Sequence, residues 1–147
     1  MRVYLKSTMI LFFGLSMLIF SSCGKDEPEV KPSILGKWDL LSIKGDYFTH
    51  STNKLIGSEE ETYLPDETVL EFNASNQVLI YESGFVEDVF NYTYENNKLI
   101  FKYDLTGSDS DTFFVSSLNN TQLIFKGIEI DTSEDFRSES TFNLKRK

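Results

Sequence analysis

Cysteine, histidine and tryptophan each occur once in the chain, and proline only three times. One cysteine excludes an intrachain disulfide, and one histidine excludes a zinc site built on a His pair. The eight glycines are scattered, so no Gly-rich loop is present to cradle a phosphate, and no Gly-x-Ser-x-Gly elbow appears. Positive charge is scarce as well: 14 Lys and Arg stand against 23 Asp and Glu, a formal charge of −9. A surface of that sign repels phosphate backbones, and no basic stripe compensates, which argues against nucleic acid as a partner. Helical periodicity is missing too, since no window of 11–18 residues carries a convincing amphipathic pattern. What the chain has in plenty is aromatic side chains, 13 Phe and 7 Tyr among its 147 residues. That bias favours strands, and the length suits one domain.

The N-terminus reads as an address. Arg2 and Lys6 precede an apolar run, Met9–Phe20, which ends at Ser21-Ser22-Cys23. A positive start, about a dozen apolar residues and small residues before a cut site describe a secretory signal peptide. As a helix the run covers about 18 Å, well short of a ~30 Å hydrocarbon core.

The sole cysteine directly follows that run. Ser21-Ser22-Cys23 resembles a bacterial lipobox, in which the cysteine becomes the lipidated first residue of the mature chain; Phe20 departs from the usual Leu. The basic-acidic-acidic trio Lys25-Asp26-Glu27 resembles the export signal of Bacteroidetes-type surface lipoproteins. The resemblance implies a signal peptide over residues 1–22, lipidation (palmitate among the acyl chains) at Cys23, and display at the bacterial outer membrane. Two or more acyl chains hold a protein firmly, whereas one does so only marginally. Loss of residues 1–22 removes Arg2 and Lys6 and no acid, so the formal charge moves from −9 to −11. Residues 23–33, rich in charge and proline, form a tether with a reach of roughly 18 Å.

From Ile34 onward apolar and aromatic residues recur with period two. Phe90, Tyr92 and Tyr94 face Leu99, Phe101 and Tyr103 across the polar turn Glu95-Asn96-Asn97, which predicts a hairpin. Thr68–Phe72 with Val78–Tyr81, and Thr112–Val115 with Gln122–Phe125, predict two more. Trp38–Ile43 and Thr141–Arg146 supply a first and a last strand. Eight to nine strands with short turns make an antiparallel meander. Closing it into a barrel removes its edges; the competing arrangement is a two-sheet sandwich.

The opening strand, Ile34-Leu-Gly36-Lys-Trp38, resembles the Gly-x-Trp signature of lipocalins and lipocalin-like domains. The resemblance covers residues 34–147 and implies an all-β, up-and-down barrel of about eight strands. It further implies that Gly36 and Trp38 close one end and that a basic residue of the last strand, Arg146, lies across the indole. The Thr-Asp-Tyr signature and the disulfide of classical lipocalins are absent, so their large cavity does not carry over.

Six rings, Phe72, Phe90, Tyr92, Phe101, Phe114 and Phe125, are expected on the inner faces. They either fill the barrel or line a pocket for a small apolar ligand. His50 lies in the polar stretch Tyr47–Asn53 and reads as solvated. Carboxylates cluster at Glu59-Glu60-Glu61, Glu87-Asp88, Asp109/Asp111 and Glu134-Asp135, where loops or strand edges are expected. Asp104–Asp111 lacks the spacing of an EF-hand loop. The expectation is a non-enzymatic, lipid-anchored binding protein without metal or cofactor. The alternative is a ligand-free module, solid inside, that recognises an envelope protein.

Overall fold

The computed structural model describes residues 32–104 and 108–147, and every described element is a β-strand. The strands are β1 (Gly36–Thr49), β2 (Lys54–Thr62), β3 (Thr68–Phe72), β4 (Gln77–Glu82), β5 (Phe85–Glu95), β6 (Lys98–Lys102), β7 (Ser110–Leu118), β8 (Gln122–Asp131) and β9 (Phe136–Arg146). All pairings are antiparallel, and β1 pairs with β9 as well as with β3, so eight strands close into a barrel with β2 as an addition. Closure decides against the sandwich.

Period two explains the elements. In β6, Leu99 and Phe101 are buried between more exposed lysines, and in β8 Leu123 and Phe125 alternate with Gln122 and Ile124. Turns take the residues that suit them. Asn96 and Asn97 adopt positive φ, 52° and 62°, between β5 and β6. Asn73 and Asn119 cap their turns through side-chain oxygens that accept backbone N–H bonds from Gln77 and Gln122. The left-handed position in the β3–β4 turn belongs to Asn76 rather than Asn73.

Three strands are longer than their hydrophobic stretches: β1 runs past Ile43 to Thr49, β9 starts at Phe136, and β8 continues to Asp131. The polar residues Tyr47–Thr49, expected in a loop, are strand. Strand β2 had no signal at all, because it is exposed almost throughout and is held by its ladder to β1 over Ser42–Thr49. Strand β3 pairs with the same edge of β1 lower down, at Gly36–Asp39. The upper halves of β2, β1, β9 and β8 therefore project beyond the closed barrel as a four-stranded extension.

The base of the barrel is plugged. Trp38 is 0% exposed, and its indole N–H donates to the Ile34 carbonyl at 2.8 Å. The Arg146 guanidinium lies 4.1 Å from the centre of the indole and donates to the carbonyls of Leu35 and Ser33. Gly36 sits at φ +117°, and a Cβ there would come within 2.9 Å of the Arg146 side chain. Only glycine meets both conditions.

Candidate functional site

Rings occupy the inside of the barrel. Phe72, Tyr92, Phe101 and Phe125 are all buried. They pack edge-on or tilted, Phe72 on Tyr92 at 5.1 Å and Phe101 on Phe72 and Phe125 at 6.1 and 6.3 Å. Phe90 is half-buried against Tyr103, 4.8 Å away. Phe114 does not belong with them, since it is 53% exposed. Opposite residues of an antiparallel ladder share a face, and Phe114 pairs with Lys98 and Lys126, whereas its neighbour Phe113 pairs with buried Leu99. Phe113 is the ring that packs on Phe101, Phe125 and Phe142. Alternation admits only one of two adjacent phenylalanines, and the unrecognised β2 and the long β8 and β9 hid the frame that chooses.

Above this packed interior the concave face of the extension is built from small residues. The register puts Gly45 of β1, Gly57 of β2, Gly127 of β8 and Ser138 and Ser140 of β9 on the face that carries Phe142 lower down. A Cβ on Gly127 would come within 3.0 Å of the Phe113 ring, so this glycine lets the ring lie against the strand. Two hollows open here and meet at Ser140. One, of about 420 Å³, lies where β7 and β8 part above the Phe113–Gly127 pair, with Phe113, Phe142, Ser138 and Glu129 among its walls. The other, of about 260 Å³, is bounded by Ile43, Tyr47, Glu59 and Glu61. The larger is within the ~300–1,000 Å³ of small-molecule sites. None of the buried rings Phe72, Tyr92, Phe101 and Phe125 lines either hollow.

Several contacts hold these walls in place. The Tyr47 hydroxyl donates to Glu59, and the Tyr47 ring stacks on Phe136, 5.8 Å between centres. The hydrogen bond to Glu59 pushes the Tyr47 phenol above its ordinary value. On the β7 side Tyr103 donates to Asp111 at 2.6 Å, and burial followed by this bond pushes its phenol up. At the tip, Ser51 donates through its backbone N–H and its hydroxyl to Asp135, which ties the β1–β2 turn to the β8–β9 turn. Ser51 and Lys54 stand at a Ser-x-x-Lys spacing, but this Ser51 hydroxyl is directed at a carboxylate. His50 is exposed in the same turn.

A third hollow, of about 360 Å³, lies outside the barrel between Lys37, Tyr81 and Lys147. There Lys147 pairs with Asp66 and Asp39, and Lys37 lies over the Tyr81 ring. Among the described residues no group of three or more His, Cys, Asp or Glu is placed to hold a metal ion. The expected signal peptide, Cys23 and the expected tether up to residue 31 lie outside the described residues, as do residues 105–107.

The class that fold and site define is a closed eight-stranded antiparallel barrel, plugged at its base, whose open end is extended on one side by a small-residue trough. No protein-family model matches the chain, and no curated protein matches it in sequence.

Proposed function

We propose that this protein is a non-enzymatic, lipocalin-like binding module, anchored through lipidated Cys23 at the bacterial outer membrane and displayed on the cell surface. It takes a small apolar ligand at the barrel mouth. The observation that carries this reading is the 420 Å³ hollow where β7 parts from β8, with Phe113 and Phe142 in its walls. Aromatic surface beside open solvent gains free energy when an apolar molecule covers it, and the serines and carboxylates nearby orient what binds. Because Phe72, Tyr92, Phe101 and Phe125 already pack on one another, the ligand sits above them rather than among them.

The address supports the anchoring. A leader too short to span a bilayer, ending at a single cysteine, needs no further membrane-binding surface on the domain. An excess of carboxylates also disfavours adhesion to anionic headgroups.

Native mass spectrometry of protein purified from its own envelope tests ligand binding: a co-purifying small apolar molecule, lost when Ser140→Leu fills the trough, is the expected result. A second reading draws on the packed interior, which suits a module that recognises an envelope protein through its surface. A stoichiometric protein partner without a small molecule would select it. For the anchor, Cys23→Ala is expected to leave the membrane fraction, and unchanged fractionation would defeat the lipoprotein assignment.

A further inference from the structure

We propose that the molecule bound at the mouth is a cationic amphiphile, an apolar chain or ring system carrying an amine or quaternary ammonium. This rests on the mouth being the binding site and adds the charge of the ligand. The argument comes from how the four-stranded extension sorts its charges. By register, Glu59 and Glu61 of β2 and Glu129 of β8 share the concave face with Ile43, Gly45 and Ser138. Across the larger hollow stands Asp111. Among the described residues no Lys, Arg or His lines either hollow.

The nearby cations are on the other face and already paired. Lys126 and Arg137 both reach Glu139, at 2.7 and 3.0 Å, Lys44 reaches Asp46 at 2.9 Å, and Arg137 lies over the Phe48 ring. The one concave-face cation in the register, Lys54, is in the last row, opposite Thr49. An anionic headgroup would thus enter a trough with carboxylates on both sides and no counter-charge, and a neutral one would forgo an attraction that is present. A cation gains both from the carboxylates and from aromatic faces, of which the stacked Tyr47–Phe136 pair is the nearest to Glu59. Phe113 and Phe142 take the apolar part.

The test uses the full chain carrying Cys23→Ala and three probes of equal chain length, octyltrimethylammonium, octanol and octanoate, titrated calorimetrically at low salt. The ammonium is expected to bind at least tenfold tighter than octanoate, with octanol between. Glu61→Gln/Glu129→Gln should bring the ammonium down towards octanol, and added salt should do the same. Ser140→Leu should abolish binding of all three, with Ser138→Leu as a second blocking variant and Trp38 emission confirming that each remains folded. If all three probes bind equally and all are lost in the blocking variants, the mouth site stands and the charge preference is wrong. If binding is absent, or indifferent to both blocking variants, the mouth reading falls and the charge preference with it.

Discussion

The guanidinium of Arg146, in the last strand, lies 4.1 Å from the centre of the Trp38 indole in the first. The two residues are direct cross-strand partners in the β1–β9 ladder that closes the barrel. Around them the chain before β1 is strapped over the base, because Arg146 also bonds the Leu35 and Ser33 carbonyls at 2.9 and 2.6 Å. One side chain thus covers the plug, closes the seam and fixes the entry of the chain.

Trp38 is the only tryptophan, so its emission reports this plug alone. It should be blue-shifted and insensitive to acrylamide until the protein unfolds. Trp38→Ala should cost ~3–5 kcal/mol in denaturant unfolding. Arg146→Lys keeps the charge but loses the planar fork, and should cost about 0.5–2 kcal/mol. Wild-type stability in both variants would remove the plug from the account.

Gly36→Ala should destabilise even though it adds one methyl group. The new Cβ is opposed by φ +117° and by the Arg146 side chain at 2.9 Å. Pairing it with Arg146→Ala should recover only part of the loss, since the backbone strain remains. Full recovery would show that crowding alone was at work.

Two phenylalanines on neighbouring strands, one facing out and one in, should behave oppositely. Phe114→Ala should shift stability by no more than about 0.5 kcal/mol, as an exposed side chain does. Phe125→Ala, which empties the centre of the aromatic cluster, should cost ~3–5 kcal/mol. Thermal or urea unfolding of the two variants checks the inward register of β7 and β8 directly.

Acid should weaken the fold through identifiable carboxylates. Hydrogen bonds from Ser51 hold Asp135 below its ordinary value, the Tyr81 hydroxyl and then Lys37 do so for Glu71, and Lys44 with Ser58 for Asp46. A carboxylate whose folded pKa is depressed contributes stability that is complete above its unfolded value, near 4, and is lost as pH falls through the folded value. Urea midpoints should therefore be level from pH 7 to 5 and drop below pH 4. In Asp135→Asn the drop should be shallower, and an unchanged slope would show that the tie between the two turns carries none of it.

Base acts through the phenols. Burial, then Glu61, pushes Tyr63 up to about 12, and burial with the bond to Asp111 raises Tyr103. A raised folded pKa contributes stability that is complete below the unfolded value near 10 and disappears as pH climbs through the folded one. Absorbance at the tyrosinate band should accordingly show some phenols titrating near pH 10 and others only together with unfolding. A single transition near pH 10 for every tyrosine, with the fold intact, would contradict the packing around Tyr63 and Tyr103.

Much of the barrel was legible because burial on one face leaves a period of two. The hairpins around Asn96-Asn97 and Asn73–Asn76 follow from side chains that must be hidden and turns that demand asparagine, whereas the plug role of Trp38 and its Arg146 partner were implied by the resemblance of Gly36-Lys-Trp38 to a known signature. The trough was not legible. Gly45, Gly57, Gly127, Ser138 and Ser140 are scattered over four strands and carry no pattern along the chain. Strand β2 is exposed almost throughout, Leu55 and Ile56 included, so no alternation of buried and exposed residues marks it as a strand.

Alternating hydrophobicity by itself determined that the domain from Ile34 onward is built of strands, that these follow one another around a meander, and that Trp38 belongs inside. It left open which of Phe113 and Phe114 turns inward and what stands above the core. Those were decided by cross-strand register, a property of two chain segments at once. Slipping a ladder by one residue turns every side chain to the opposite face. Only the closed seam between β1 and β9, with β2 and the upper half of β8 extended beside it, puts the small residues and the carboxylates around two adjoining hollows and turns Lys44 and Lys126 to the other face.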